Sequence, residues 1–419
     1  MVGSGDKYLA LPELPLQYSA LQSALDSLEN ENGYVSPETG AHRQPVQMVD
    51  LDGDGIEEVV VFGLTERGLC QVYVLREYEG TYAVSYTIEG GSPYIFEVLY
   101  PTLMEGNKAI AIAWGRTGDL SRGVTVIAME NQHFTKVLSF SGQSYLFEDT
   151  DGDGADEIWY ADRGGTAWIR SRLHRYEYRE GDGFYPTGRL NLAAEASNTI
   201  SLQYGLCGPN TPAVFADSYT EDGKRMVTDL VVESESGLIS MTQGLASSAE
   251  NTLRRTYALC ADINGDGILE IPVADRQFPV WLPLSGQFIE WCDFSWDDRQ
   301  PRLVQQTFCI AGQGLAMVLP DNWDRGVRVT YWSDEMGRPV YSFYDIRQIL
   351  DEEEGSGTAE LLMRLCIGEV PRLEEIPYDN ICVLNEVAVG YFIEENSNIN
   401  MRPEKHEIEN GLLQVQDRW

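Results

Sequence analysis

From residue 46 onward the chain is written in short apolar runs separated by polar turns. Val46-Gln47-Met48-Val49 is followed by Val59-Val60-Val61-Phe62, and later by Tyr145-Leu146-Phe147 and Ile158-Trp159-Tyr160. β-Branched and aromatic residues at this density favour extended backbone, and runs this short read as strands. The same rhythm continues through 94–98, 109–114 and 124–128, through 200–202, 213–215 and 227–232, and through 257–260 and 271–273. Grouped by spacing, the runs form units beginning near 46, 94, 145, 200 and 257, each about 50 residues long and supplying about four strands. A unit of that size buries its faces only against its neighbours, which is the repeat of a β-propeller. The expected fold is therefore mainly β, a small propeller of about five blades.

Outside that region the period changes. Leu14, Tyr18, Leu21, Leu25 and Leu28 recur at alternating steps of four and three, placing one apolar stripe along a helix over about 14–30. Glu29-Asn30-Glu31-Asn32-Gly33 then supplies a helix stop. A lone amphipathic helix needs a partner for its stripe, and the propeller or the C-terminal region is expected to provide it. From 301 onward, 314–319 reads as a strand, 327–332 and 340–344 as an antiparallel hairpin, 346–354 as a short helix, and 359–367 and 387–393 as two more strands. The expected organisation is an N-terminal tether and helix over 1–44, the propeller over 45–300, and a C-terminal α+β domain over 301–419.

One acidic string occurs three times in the propeller region. It reads Asp50-Leu51-Asp52-Gly53-Asp54-Gly55-Ile56-Glu57-Glu58, then Asp149-Thr150-Asp151-Gly152-Asp153-Gly154-Ala155-Asp156-Glu157, then Asp262-Ile263-Asn264-Gly265-Asp266-Gly267-Ile268-Leu269-Glu270. Side-chain oxygens stand at positions 1, 3, 5 and 9, and glycines at 4 and 6. That order suits a hard cation seeking six to eight oxygen ligands, with glycines letting the loop wrap round it. The copies begin at 50, 149 and 262, about a hundred residues apart, so the odd-numbered units carry the string and the even-numbered ones do not.

Counting excludes an EF-hand, which needs a bidentate Glu at position 12 between two helices. Position 12 is Val61, Tyr160 and Val273, and strand-forming residues flank every copy. The repeat is a β-hairpin with an acidic connection. An Asp-x-Asp pair of the phosphatase or glycosyltransferase kind is expected once per active site, not three times. Metal-free acidic turns are the plainer alternative, since Asp-Gly makes a turn unaided, but carboxylates crowded this closely repel one another without a counter-cation. The expected ligands of one calcium ion are Asp50, Asp52, Asp54 and Glu58 with the Ile56 carbonyl. Asp149, Asp151, Asp153 and Glu157 with the Ala155 carbonyl would hold a second. Asp262, Asn264, Asp266 and Glu270 with the Ile268 carbonyl would hold a third, weaker because Asn264 lowers the charge. Glu57 and Asp156, at position 8, are expected to turn away from the ion.

Residues 49–59 and their two counterparts resemble the FG-GAP/VCBS-type repeats of integrin-α-like propellers, over about 46–300. The resemblance implies a calcium loop between the first two strands of a blade, a structural role for the ion, a binding or scaffold module, and no reaction. No unit carries a clear Phe-Gly…Gly-Ala-Pro string, and two units lack the loop, so the seven-bladed integrin geometry does not follow. The apolar run 315–319 leading into Pro320-Asp321-Asn322-Trp323 loosely resembles the PsbP/Mog1-like domains of bacterial lipoproteins, which implies no site.

Composition narrows the partners. Lys and Arg total 30 against 66 Asp and Glu, a net charge of −36, and such a surface repels nucleic acid and anionic membrane leaflets. No apolar run approaches the ~20 residues that span a bilayer. The start, Met1-Val2-Gly3-Ser4-Gly5-Asp6, has no leader-like region and reads either as the tether of a bacterial lipoprotein after removal of its signal and lipidated cysteine or as a cytosolic start. Calcium loops with affinities of about 10⁻⁴–10⁻³ M fill only where calcium is abundant, which favours the outside of a cell.

Acid pairs abundant enough to supply a glycosidase dyad are present, though the acids that stand out are better explained as calcium ligands, and other catalytic patterns are missing from the sequence. Cys70, Cys207, Cys260, Cys292, Cys309, Cys366 and Cys382 form no CxxC pair and read as core thiols. His42, His133, His174 and His406 have no metal-binding spacing, and no nucleophile elbow or phosphate loop follows a strand. Trp281, Trp291 and Trp296, near Asp297-Asp298, read either as packing between blades or as a sugar-stacking face.

The expectation from sequence is a non-catalytic, calcium-stabilised binding or scaffold module, secreted or anchored at a bacterial surface. It would hold up to three structural calcium ions and recognise a glycan or a protein. The alternatives are a propeller enzyme acting on polysaccharide and a purely structural exported protein.

Overall fold

Val60 and Phe62 project from one side of their strand and Val59 and Val61 from the other, and all four are buried. That double burial recurs along the chain. The computed structural model describes residues 19–130, 133–163, 170–243, 252–254, 258–274, 286–294, 301–310, 313–320, 322–323, 326–347, 358–370, 376, 378, 380–384, 387–398 and 400–415. These fall into two compact units, Met1–Leu192 with Asn198–Leu202, and Ala193–Ser197 with Gln203–Trp419.

The first unit opens with helix α1 (Ser19–Asn32) and an antiparallel sheet of β1 (Val46–Val49), β2 (Glu58–Leu64), β3 (Cys70–Tyr78) and β4 (Thr81–Glu89), paired in sequence order. Two further meanders follow. One is β5 (Ile95–Leu99), β6 (Ile110–Trp114), β7 (Arg122–Glu130) and β8 (His133–Gly142). The next is β9 (Ser144–Glu148), β10 (Glu157–Asp162), β11 (Arg172–Arg179) and β12 (Gly183–Asn191).

Val60 and Phe62 pack with Ile110 and Ile112 of β6. The opposite side of β6, Ala111 and Ala113, packs against Ile158 and Tyr160 of β10. Small residues on β6 leave space for Tyr160, whose ring stacks on Phe140 at 4.2 Å and on His174 at 4.6 Å. On the remaining face of the first sheet, Val59, Val61 and Leu75 cover Leu21 and Leu25 of α1, so the helix finds the partner its stripe required. Leu14 and Tyr18 of that stripe lie outside the described residues. α1 ends before Gly33, whose φ of 81° breaks the helical path.

Next along the chain, β13 (Asn198–Gly208), β14 (Thr211–Tyr219), β15 (Met226–Ser234) and β16 (Gly237–Ser240) form a fourth meander, of which Asn198–Leu202 count with the first unit and the rest with the second. A fifth sheet contains β17 (Ile271–Ala274), β18 (Gly286–Phe294), β19 (Pro301–Ile310), β20 (Leu315–Val318) and the C-terminal β26 (Leu412–Gln414). Phe215, Leu230 and Val232 of the fourth sheet bury Ile271, Cys292 and Phe294 of the fifth.

The last sheet runs β21 (Val327–Ser333), β22 (Pro339–Asp345), β23 (Glu360–Glu369), β25 (Val387–Ile393) and β24 (Asn380–Leu384), followed by helix α2 (Lys405–Gly411). Its core residues Tyr341, Phe343, Leu365 and Tyr391 share one cluster with Phe308, Leu315 and Met317 of the fifth sheet.

The fold is mainly β and propeller-like, built from successive small antiparallel sheets. Its sheets begin at Val46, Ile95, Ser144 and Asn198, close to the expected unit starts. Residue 300 does not interrupt the pairing, because β19 bonds to β18 and β26 returns from the C-terminus to bond to β20. A strand edge left open by one segment is closed by another distant in sequence, which local periodicity does not report. The short helix expected over 346–354 lies largely outside the described residues.

Candidate metal centres

All three acidic strings connect antiparallel partners in the same register. The residue preceding each string faces its position-9 glutamate: Val49 with Glu58, Glu148 with Glu157, and Ala261 with Glu270. The third copy makes this as an isolated bridge just before β17. Inside each hairpin the backbone donates to the carboxylates in one repeated scheme. Asp50 accepts from the Gly53 and Gly55 N–H groups at 2.8 and 2.9 Å, Asp149 from Gly152 and Gly154 at 2.7 and 2.9 Å, and Asp262 from Gly265 and Gly267 at 2.7 and 2.9 Å. Gly55, Gly154 and Gly267 have φ of 85°, 89° and 85°, a conformation other residues rarely adopt.

The glutamates close the loops. Glu58 Oε2 accepts the Leu51 N–H at 2.9 Å, Glu157 Oε2 the Thr150 N–H at 2.7 Å, and Glu270 Oε2 the Ile263 N–H at 2.9 Å. All three glutamates are buried, whereas Asp54, Asp151, Asp153, Asp262 and Asp266 are exposed. Burial raises the Glu58 and Glu157 carboxyls above their ordinary value. Glu270 is pushed up to about 7, by burial first and then by the charges of Asp266 and Asp262.

Asp50, Asp52 and Glu58 bring carboxylate oxygens within 4.8 Å of one another, as do Asp149, Asp151 and Glu157. Asp54 and Asp153 stand outside these groups of three. Their Oδ1 atoms accept the N–H groups of Ile56 and Ala155 at 2.7 and 2.8 Å. In the third loop Asp266 Oδ1 likewise accepts the Ile268 N–H at 2.8 Å, and its Oδ2 accepts the Asn264 amide at 2.9 Å. Glu270 is wholly buried, and its Oε1 has no hydrogen-bond partner. An all-oxygen donor set with an orphaned buried carboxylate oxygen fits a hard cation of the calcium type.

Two arginines also belong to these centres, and the acidic strings contain no sign of them. Arg76 of β3 donates to Asp52 Oδ2 at 2.6 Å and pairs with Glu58 Oε1 at 3.2 Å. Arg175 of β11 reaches Asp151 Oδ2 at 2.9 Å, Glu177 Oε1 at 3.2 Å and Glu157 Oε2 at 3.7 Å. They occupy different places in the repeat. Val59 is paired with Leu75 and Ile158 with Tyr176, so Arg76 lies one residue after the facing position and Arg175 one residue before it. A bulge falls between Val74 and Leu75, and between Arg175 and Tyr176, which re-aims side chains at this point of the strand.

The loops are also tied to neighbouring sheets. The Lys108 N–H donates to the Leu51 carbonyl at 3.0 Å, the Asp156 N–H to the Thr102 carbonyl at 2.8 Å, and the Leu269 N–H to the Leu206 carbonyl at 2.8 Å. Asp156, expected only to turn away from the ion, uses its carboxylate to accept the Thr102 N–H at 2.7 Å.

Other sequence candidates fall into the core. Trp291 is fully buried, with its indole N–H donating to Thr307 Oγ1 at 2.9 Å, and is a packing residue rather than a sugar platform. Trp281, Trp296, Asp297 and Asp298 lie outside the described residues. All seven cysteines are free thiols, six of them buried. Among the described residues no helix is long and apolar enough to cross a membrane.

No protein-family model matches the chain, and no curated protein matches it. Solved structures show distant likeness only. A Bacteroides uniformis protein described as a candidate 6-phosphogluconolactonase is 11% identical, with 71% of this chain and 84% of that one covered and a TM-score of 0.30. A protein from Lactobacillus plantarum is 12% identical, with 79% and 86% covered and a TM-score of 0.29. Prolyl oligopeptidase B from Galerina marginata is 11% identical, with 69% and 37% covered and a TM-score of 0.31. Likeness at this level carries no argument about activity.

Proposed function

We propose that this chain is a calcium-stabilised, non-catalytic binding or scaffold module of the FG-GAP/VCBS type. In this reading it is exported or held at a bacterial surface and recognises a glycan or a protein. The observation that carries the calcium reading is the threefold recurrence of one hairpin, with the same register, the same glycine N–H groups on the position-1 aspartate, and the same buried glutamate returning to the position-2 N–H. Asp50, Asp52 and Glu58 would hold one ion, Asp149, Asp151 and Glu157 a second, and Asp262, Asn264, Asp266 and Glu270 a third. Asp54, Asp153 and the carbonyls of Ile56, Ala155 and Ile268 would complete the shells.

The ion's contribution is to neutralise carboxylates that otherwise repel, at hairpins tied to adjacent sheets. Surplus negative charge elsewhere, within the net −36, supports a partner other than nucleic acid. The test is a thermal melt in excess calcium, excess magnesium and EGTA. At about 100 times the dissociation constant each ion adds roughly 2.7 kcal/mol, so calcium should raise the midpoint by several degrees and magnesium should not. Asp52→Ala and Asp151→Ala should each remove part of the rise. An identical midpoint in calcium and EGTA would sink the reading.

A further inference from the structure

We propose that the three loops are of two kinds: the third takes an external divalent cation first and most tightly, while the first and second hold Arg76 and Arg175 as tethered counter-cations that an incoming ion must displace. This rests on the calcium reading above and adds an order of filling to it. By charge count alone the order would be the reverse, since Asn264 leaves the third loop one carboxylate short.

The order follows from what lies opposite each loop. In the first, the Arg76 guanidinium bonds Asp52 Oδ2 at 2.6 Å and lies 3.2 Å from Glu58 Oε1, two oxygens that an ion would need. In the second, Arg175 pairs with Asp151 at 2.9 Å, and only 4% of its side chain is exposed. An ion entering either loop must break charge-assisted bonds and leave a largely buried guanidinium to find new partners.

Among the described residues the third loop has no such occupant. Ile271 is paired with Cys292, as Val59 is with Leu75 and Ile158 with Tyr176, so the places of Arg76 and Arg175 fall to Asp293 and Trp291. The bulge recurs there, between Trp291 and Cys292. The same backbone device thus presents an acid and an indole where the other sheets present arginine. Among the described residues no basic side chain pairs with Asp262, Asp266 or Glu270. An independent sign that this loop suits a cation is Glu270 Oε1, a carboxylate oxygen fully buried and without a hydrogen-bond partner, while Oε2 of the same group anchors it to the loop at Ile263. Burying an unpaired carboxylate is costly, and a cation arriving there displaces none of the described side chains.

Calorimetric titration of calcium into the chelator-stripped full chain tests this. The expected result is one tight ion and two weaker ones. Glu270→Gln should abolish the tight one; Asp266→Asn, at an exposed position, should weaken it tenfold or more and serves if Glu270→Gln does not fold. Arg76→Gln and Arg175→Gln should each tighten one of the weaker sites tenfold or more. If the tightest site survives both third-loop variants, or if either arginine variant leaves every affinity unchanged, the order of filling is wrong while the calcium reading stands. If the wild-type chain takes up no calcium, both fall together.

Discussion

Thr102 and Asp156, 54 residues apart, hold each other from both sides: the Thr102 N–H donates to the Asp156 carboxylate at 2.7 Å, and the Asp156 N–H donates to the Thr102 carbonyl at 2.8 Å. The second acidic loop is thereby clipped to the sheet before it. Asp156→Ala removes a charged acceptor and should cost about 1–2 kcal/mol in urea unfolding. It should also reduce the calcium-induced rise in melting temperature, because the second loop loses its outside support. An unchanged urea midpoint would mean that the clip contributes nothing to stability.

Gly154 has a φ of 89°, yet a Cβ built there meets no heavy atom within 4 Å. Gly154→Ala therefore tests backbone strain without a clash, and should destabilise by about 1–2 kcal/mol. Gly91 also has open space around it and no left-handed φ, so Gly91→Ala should be neutral or slightly stabilising by the same measurement. Equal losses at both positions would rule out strain as the cause.

Asp217 and Arg254 form an ion pair at 2.8 Å with both side chains fully buried. Thr228 and the Cys260 N–H also bond Asp217, and the carbonyls of Thr252 and Ala258 accept from Arg254. Arg254→Met leaves a buried carboxylate without its cation and should cost about 3–5 kcal/mol. Adding Asp217→Asn should give a double variant less destabilised than the sum of the two single ones. Strict additivity in the cycle would show that the two charges do not sense each other.

Asp162 supplies a pH signature away from the metal centres. Burial raises its carboxyl, but hydrogen bonds from Arg172 and His174 outweigh that and leave it below the ordinary aspartate value. The folded state then binds fewer protons than the unfolded state as pH falls. The stability contributed by Asp162 is present above the unfolded value and is lost on acidification through the folded one. Wild type should exceed Asp162→Asn in stability at pH 6, and the gap should narrow progressively as the pH falls below the ordinary aspartate value of about 4. A gap of constant size across that range would assign the difference to packing instead.

Much of the repeat was legible. The apolar runs at 59–62 and 109–114 announced strands, and the unit starts near 46, 94, 145 and 200 lie close to the starts of the observed sheets. The loop hairpins were readable because glycines at fixed offsets and flanking strand formers act locally. The pairing across 300 was not readable, since β19 continues the sheet of β18 and β26 completes it from a segment distant in sequence. Trp291 was ambiguous for a related reason: an aromatic in a strand looks the same whether another sheet covers it or water does.

By itself the sequence determined the strand-rich repeat and the placing of oxygens around each acidic turn, because these depend on residues within one hairpin. Only the tertiary structure decided which loops have a cation supplied from within. Arg76 and Arg175 reach their loops across the sheet, from positions that differ by two steps relative to a bulge, and Trp291 and Asp293 hold the corresponding places in the third. Charge at a site is a sum over space, and a linear count of acids omits whatever the neighbouring strand delivers.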